Sequence, residues 1–69
     1  MPDYHKLTLN FTAKAWASVE WVSAHEDLNK TDVVNRAVQL YEFIARERKL
    51  GGELLIEKKD GSIHRILMV

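Results

Sequence analysis

Residues 5–11, HKLTLNF, alternate without a slip, with Leu7, Leu9 and Phe11 on one side of an extended chain and Lys6, Thr8 and Asn10 on the other. The run predicts a short strand with one apolar face. At Thr12, a good N-cap residue, the period changes. AKAWASVEWVSAHED follows with no Gly or Pro, and at helical spacing Ala15, Trp16, Val19 and Val22 fall on one arc, which predicts a first helix over about residues 13 to 26. A second strip, Ala13, Ala17, Trp21 and Ala24, lies on nearly the opposite side, so this helix is expected to be covered on two faces.

DLNKTD interrupts the pattern. Asn29 followed three residues later by Asp32 reads as a cap, because the amide side chain can accept from early helical N–H groups and the carboxylate suits the positive end of the dipole. A second helix is expected over about residues 30 to 48. Its apolar face is wide: Val33, Val34, Ala37, Val38, Leu40, Tyr41, Ile44 and Ala45. Phe43 stands apart, among Arg36, Gln39 and Glu47 on the polar side, and Arg46, Arg48 and Lys49 crowd the last turn. Gly51 and Gly52 end the helix, one of them in the left-handed conformation. Two β-rich runs, about residues 53 to 58 and 62 to 68, then flank Asp60-Gly61, a strong hairpin signal. A turn of two residues and one of three would pair them differently, and both remain open. The expected class is mainly α with short β, in one domain: a strand-helix-helix core over residues 1–50 and a β-hairpin extension of it over 51–69.

Length changes the picture most. A chain of 69 residues buries only about 60% of its unfolded surface, so a lone core is marginal without a staple. There are no cysteines, which removes disulfides and thiolate zinc sites and fits a reducing, cytoplasmic setting. The expected staple is a second copy of the chain. A lone strand leaves both edges unpaired and its apolar side without a floor. Pairing it with its copy satisfies one edge and doubles the floor under the helices. The outward face then presents Lys6, Thr8 and Asn10 twice about a two-fold axis near Thr8. Such a ribbon fits the major groove, where Lys can donate to guanine, Asn can pair with the adenine edge and Thr can reach polar groups or the thymine methyl.

The run KLTLNFTAKAWASVEWVSAHEDLNKTDVVNRAVQLYEFI, from Lys6 to Ile44, resembles the ribbon-helix-helix DNA-binding proteins of the Arc, MetJ and CopG type. The likeness rests on the alternating strand, on the F-T before the first helix and on LNKTDVVNRAV opening the second. It implies a ribbon-helix-helix homodimer with an added C-terminal hairpin, base contacts by Lys6, Thr8 and Asn10, and a phosphate held at the start of the second helix by Asn29, Lys30 and Thr31. Leu7, Leu9, Phe11, Trp16, Val34, Ala37, Val38 and Tyr41 would form the dimer core. The function implied is that of a transcriptional regulator, a repressor binding a double-stranded operator of inverted-repeat half-sites. The turn between the helices carries Asp27 where family members often have Gly, so a side chain there strains the turn or alters its shape.

Charge bears on this reading. With 10 Lys and Arg against 10 Asp and Glu the formal net charge is zero, whereas phosphate contacts usually leave a basic imprint on a domain. The alternative is a protein-interaction module, or an antitoxin, that keeps the dimer and uses the hairpin as its docking element. Trp21 and Phe43 lie off the main apolar faces, and the hairpin is expected to cover at least one of them. His5, His25 and His64 lack ligand spacing, so no metal site is expected. No nucleophile triad or phosphate loop is visible, and no enzyme or cofactor is expected. No apolar run reaches the length of a membrane span and MPDYHKL lacks signal-peptide character, which predicts a soluble protein with no membrane partner.

Overall fold

The computed structural model describes residues 5–67, in which two helices, α1 (Ala13–His25) and α2 (Lys30–Lys49), precede an antiparallel hairpin of β1 (Leu54–Glu57) and β2 (Ile63–Ile66). The fold is therefore mainly helical with short β. By compactness the chain divides into residues 1–34 and residues 35–69, so the boundary falls within the continuous α2.

In the first unit, α1 begins where Thr12 accepts a hydrogen bond at Oγ1 from the Ala15 amide, 3.1 Å away. Phe11 and Trp16, the residues just before the cap and in the fourth helical position, approach to 5.8 Å between ring centroids at 53°. This is a hydrophobic staple, which sets the direction from which the preceding segment enters the helix. The far end of α1 closes through Asp27, whose φ of 52° lets the Leu28 amide reach back to the Ser23 carbonyl at 3.1 Å. That pattern is a Schellman closure with aspartate where glycine is usual. Ser23 reinforces it by donating its hydroxyl to the Leu28 carbonyl. The turn thus closes in the left-handed conformation with a side chain, that of Asp27, at the position glycine usually holds. Along the last turn of α1, the Trp21 and His25 rings stack at 3.9 Å and 15°, and His25 Nδ1 donates to the Trp21 carbonyl at 2.8 Å.

The start of α2 repeats the capping logic: Asn29 Oδ1 accepts from the Asp32 amide at 2.8 Å, and the Asn29 carbonyl accepts from Val33 at 3.1 Å. Leu28 and Val33 hold the positions that Phe11 and Trp16 hold at α1. Val33, 6% exposed, is the one buried apolar side chain among the described residues.

In the second unit, α2 closes through Gly51 at φ +91°, with the Gly52 amide on the Glu47 carbonyl at 2.9 Å and the Gly51 amide on that of Arg48 at 3.0 Å. Glu42 and Arg46 pair across one turn at 3.0 Å, exposed and so worth little. The hairpin resolves the open choice of turn. The Lys58 amide donates to Ser62 at 2.7 Å and the Gly61 amide to Lys58 at 2.9 Å, leaving a three-residue loop of Lys59, Asp60 and Gly61 with Gly61 at φ +92°. Asp60 accepts from the Ser62 hydroxyl and amide, bonds that hold its carboxyl below the usual aspartate range. The register pairs Leu54 with Ile66, Leu55 with Arg65, Ile56 with His64 and Glu57 with Ile63. Opposite residues share a face, so each face carries two or more aliphatic side chains within the ladder and neither is purely polar. Both strands are shorter than expected at each end, and Met68, the expected end of the second strand, lies outside the described residues.

The expected N-terminal strand is the main difference. Residues 5–11 make no backbone ladder with other described residues and have no assigned secondary structure. A strand is defined by its pairing, and alternation supplies the faces without supplying a partner. Nor does the hairpin cover Phe43, which remains 62% exposed, and Trp21 is 61% exposed.

The two left-handed closures should respond oppositely to substitution. Asp27→Gly relieves a Cβ penalty and should stabilise by up to about 1 kcal/mol, whereas Gly51→Ala introduces that penalty and should cost about 1–2 kcal/mol. Urea denaturation at equal chain concentration checks both. Shifts of the same sign would mean that Asp27 is held by something other than the closure geometry.

Candidate nucleic-acid interface

The side chains assigned to DNA contact come from two places in the first unit: the segment before α1 and the first turn of α2. Lys6, Thr8 and Asn10 are exposed, as are the alternating Leu7, Leu9 and Phe11, of which Leu7 is 78% exposed. The single chain therefore does not yet distinguish an inward from an outward side of this segment. The staple between Phe11 and Trp16 fixes its last residue on α1.

The first turn of α2 joins the same cluster. Lys30 Nζ lies 5.7 Å from the centroid of the Trp16 ring, within range of a cation–π contact. Phe11, Trp16 and Lys30 thus link the end of the N-terminal segment, the start of α1 and the start of α2. A lysine in a helix's first turn faces the positive end of the dipole, an unfavourable position that the ring face of Trp16 offsets. The amides of Lys30 and Thr31 belong to the same helix N-terminus and make no internal helical bond.

Asn29 differs from its expected role in one respect. Its side-chain oxygen is engaged by the Asp32 amide, so its first task is the cap, and a phosphate would meet the remaining amide nitrogen. Asp32 places a carboxylate in the same turn and lowers the positive potential there. An anion at this site would rest on the Lys30 and Thr31 amides and on the Lys30 ammonium. Sequence reasoning missed the Trp16–Lys30 contact. No spacing rule joins residues in different elements, and only the cap at Asn29 fixes where α2 begins.

Of the residues assigned to a dimer core, Trp16 is 42% exposed, Val38 63% and Tyr41 55%, Ala37 is exposed, and Val34 is half-buried. Among the described residues no three His, Cys, Asp or Glu side chains are grouped to hold a metal ion. No described helix is long and apolar enough to cross a membrane. The chain matches no family model, no curated protein and no solved structure.

Separate roles for Asn29 can be resolved by substitution. Asn29→Ala removes the cap and should cost about 1 kcal/mol, as should Thr12→Ala at α1. Asn29→Asp keeps a capping oxygen, so its stability in urea should stay near that of the parent, while its added negative charge should weaken any anion bound at this turn. An Asn29→Asp protein as unstable as Asn29→Ala would show that the cap is not what Asn29 supplies.

Proposed function

We propose that the protein is a dimeric, sequence-specific DNA-binding regulator of the ribbon-helix-helix type, a repressor whose N-terminal segments pair between two chains and enter the major groove. The observation that carries this reading is the exposure of an alternating segment joined by an aromatic staple to a pair of capped helices whose own apolar face is open. Pairing residues 6–11 with a second copy supplies the missing ladder bonds. Leu7, Leu9 and Phe11 then turn toward Trp16, Val38 and Tyr41, and fully burying such side chains is worth about 1.5–3 kcal/mol each. Lys6, Thr8 and Asn10 are left outward, with chemistry suited to base edges. The Lys30 ammonium and the N-terminal amides of α2 supply a phosphate contact that orients the ribbon. With zero net charge, affinity depends on where these few cations sit.

A second reading has its own observation. Leu55 and Ile63 share one face of the hairpin and are half or more exposed, as is Leu67 at its end. On this reading the hairpin docks a protein partner, in the manner of an antitoxin, with or without DNA bound by the ribbon.

Selection from a random duplex pool, followed by fluorescence anisotropy across salt concentrations, tests the first reading. The selected site should be an inverted repeat. Asn10→Ala should reduce discrimination by about 1–3 kcal/mol for each bidentate Asn–adenine pairing abolished, with non-specific binding nearly intact. Lys30→Ala should weaken all sequences alike and reduce the salt slope by about one unit per phosphate no longer neutralised. If a folded Lys6, Thr8 and Asn10 triple-alanine protein binds DNA as the parent does, the ribbon is not the reading surface. Absence of duplex binding by the parent, with the dimer intact, would leave the hairpin-docking reading.

A further inference from the structure

Phe43 is an aromatic residue on the polar side of α2, and its neighbours along that side explain why. Arg36, Leu40, Phe43 and Glu47 follow at intervals of four, three and four, the spacing of a coiled-coil seam. All four are exposed. This stripe lies on the far side of α2 from Val38 and Tyr41, so it remains open after the ribbon dimer has formed. Among the described residues, no salt bridge or side-chain hydrogen bond engages Arg36 or the Glu47 carboxylate. The neighbouring acids are engaged: Glu42 by Arg46 at 3.0 Å and Glu53 by Arg65 at 3.2 Å.

We propose that this stripe is a second self-association surface, on which α2 of one chain packs antiparallel against α2 of another and joins two dimers into a four-chain assembly. The order of residues selects both occupant and direction. In an antiparallel pair centred between Leu40 and Phe43, Arg36 faces Glu47 of the second copy, Leu40 faces its Phe43, and the same contacts recur by two-fold symmetry. A parallel pair would set Arg36 against Arg36 and Glu47 against Glu47, which like-charge repulsion opposes. The surface is thus complementary to itself in one direction only, as an isologous interface requires. The protein also supplies a receptacle: Phe43, Ile44 and Glu47 of α2 and Gly52, Glu53 and Leu54 at the base of the hairpin line a groove beside the seam. Leu40 of the second copy would enter it. The hairpin thereby acquires a role, as one wall of this groove.

Charge reversal tests the pairing, with mass measured by sedimentation equilibrium at high micromolar chain concentration and helicity checked by circular dichroism. The parent should sediment as four chains, R36E and E47R each as two, and the R36E/E47R double variant as four again. A parent of four chains whose single variants keep that mass, or whose double variant fails to regain it, would overturn the proposal. A parent of two chains indifferent to both reversals would overturn it while leaving the ribbon dimer standing. If the parent is of two chains, the single variants fall to one and the double variant recovers, the stripe stands and the ribbon dimer falls. A monomeric parent would refute both.

Discussion

Backbone closure and side-chain coverage are unequally satisfied in this chain. Each element is finished locally: Thr12 and Asn29 cap the helices, left-handed residues at Asp27 and Gly51 close them, and a three-residue loop turns the hairpin. Coverage is not finished, because Val33 is the one buried apolar side chain among the described residues. Helices of 13 and 20 residues are marginal in water on propensity alone, and a two-stranded hairpin is marginal as well. On the proposed reading, the burial that is missing comes from a second copy of the chain.

The same constraint organises the candidate interface. Were the chain able to bury Phe11 and Trp16 deeply by itself, the N-terminal segment would be a peripheral arm. The two rings instead form an exposed staple, with the Lys30 ammonium over Trp16. This sets the end of the proposed ribbon and the first turn of α2, the proposed phosphate site, against one indole. On the proposed reading, burial of that indole in the dimer would lock base-facing and phosphate-facing groups in a common frame. Recognition and association would then be coupled through one side chain.

What the sequence made legible follows from the range of the interaction concerned. Helix boundaries were readable to within a residue or so, because Thr12, Asn29 and Gly51 act on amides and carbonyls a few positions away. The strain at Asp27 was readable as a departure from glycine, and its φ of 52° is the local consequence. The turn at Asp60-Gly61 was readable as a turn but not in length, since either register uses a left-handed glycine and the choice rests on the Lys58–Ser62 pairing. The N-terminal alternation described faces, but pairing is non-local, and among the described residues there is no ladder for residues 5–11. Phe43 looked like a residue awaiting the hairpin. Its exposure, with Arg36 and the Glu47 carboxylate unengaged among the described residues, fits the proposed self-association stripe instead, a pattern visible only after intrachain ion pairs are assigned.

The claim on which the rest depends is that folding requires association. Thermal unfolding followed by circular dichroism, over at least a hundredfold range of chain concentration, measures this directly. Linkage of folding to association predicts a midpoint that rises steadily with concentration. A cooperative transition whose midpoint does not move, in a protein of single-chain mass, would show that these apolar faces find cover within one chain and would contradict the account.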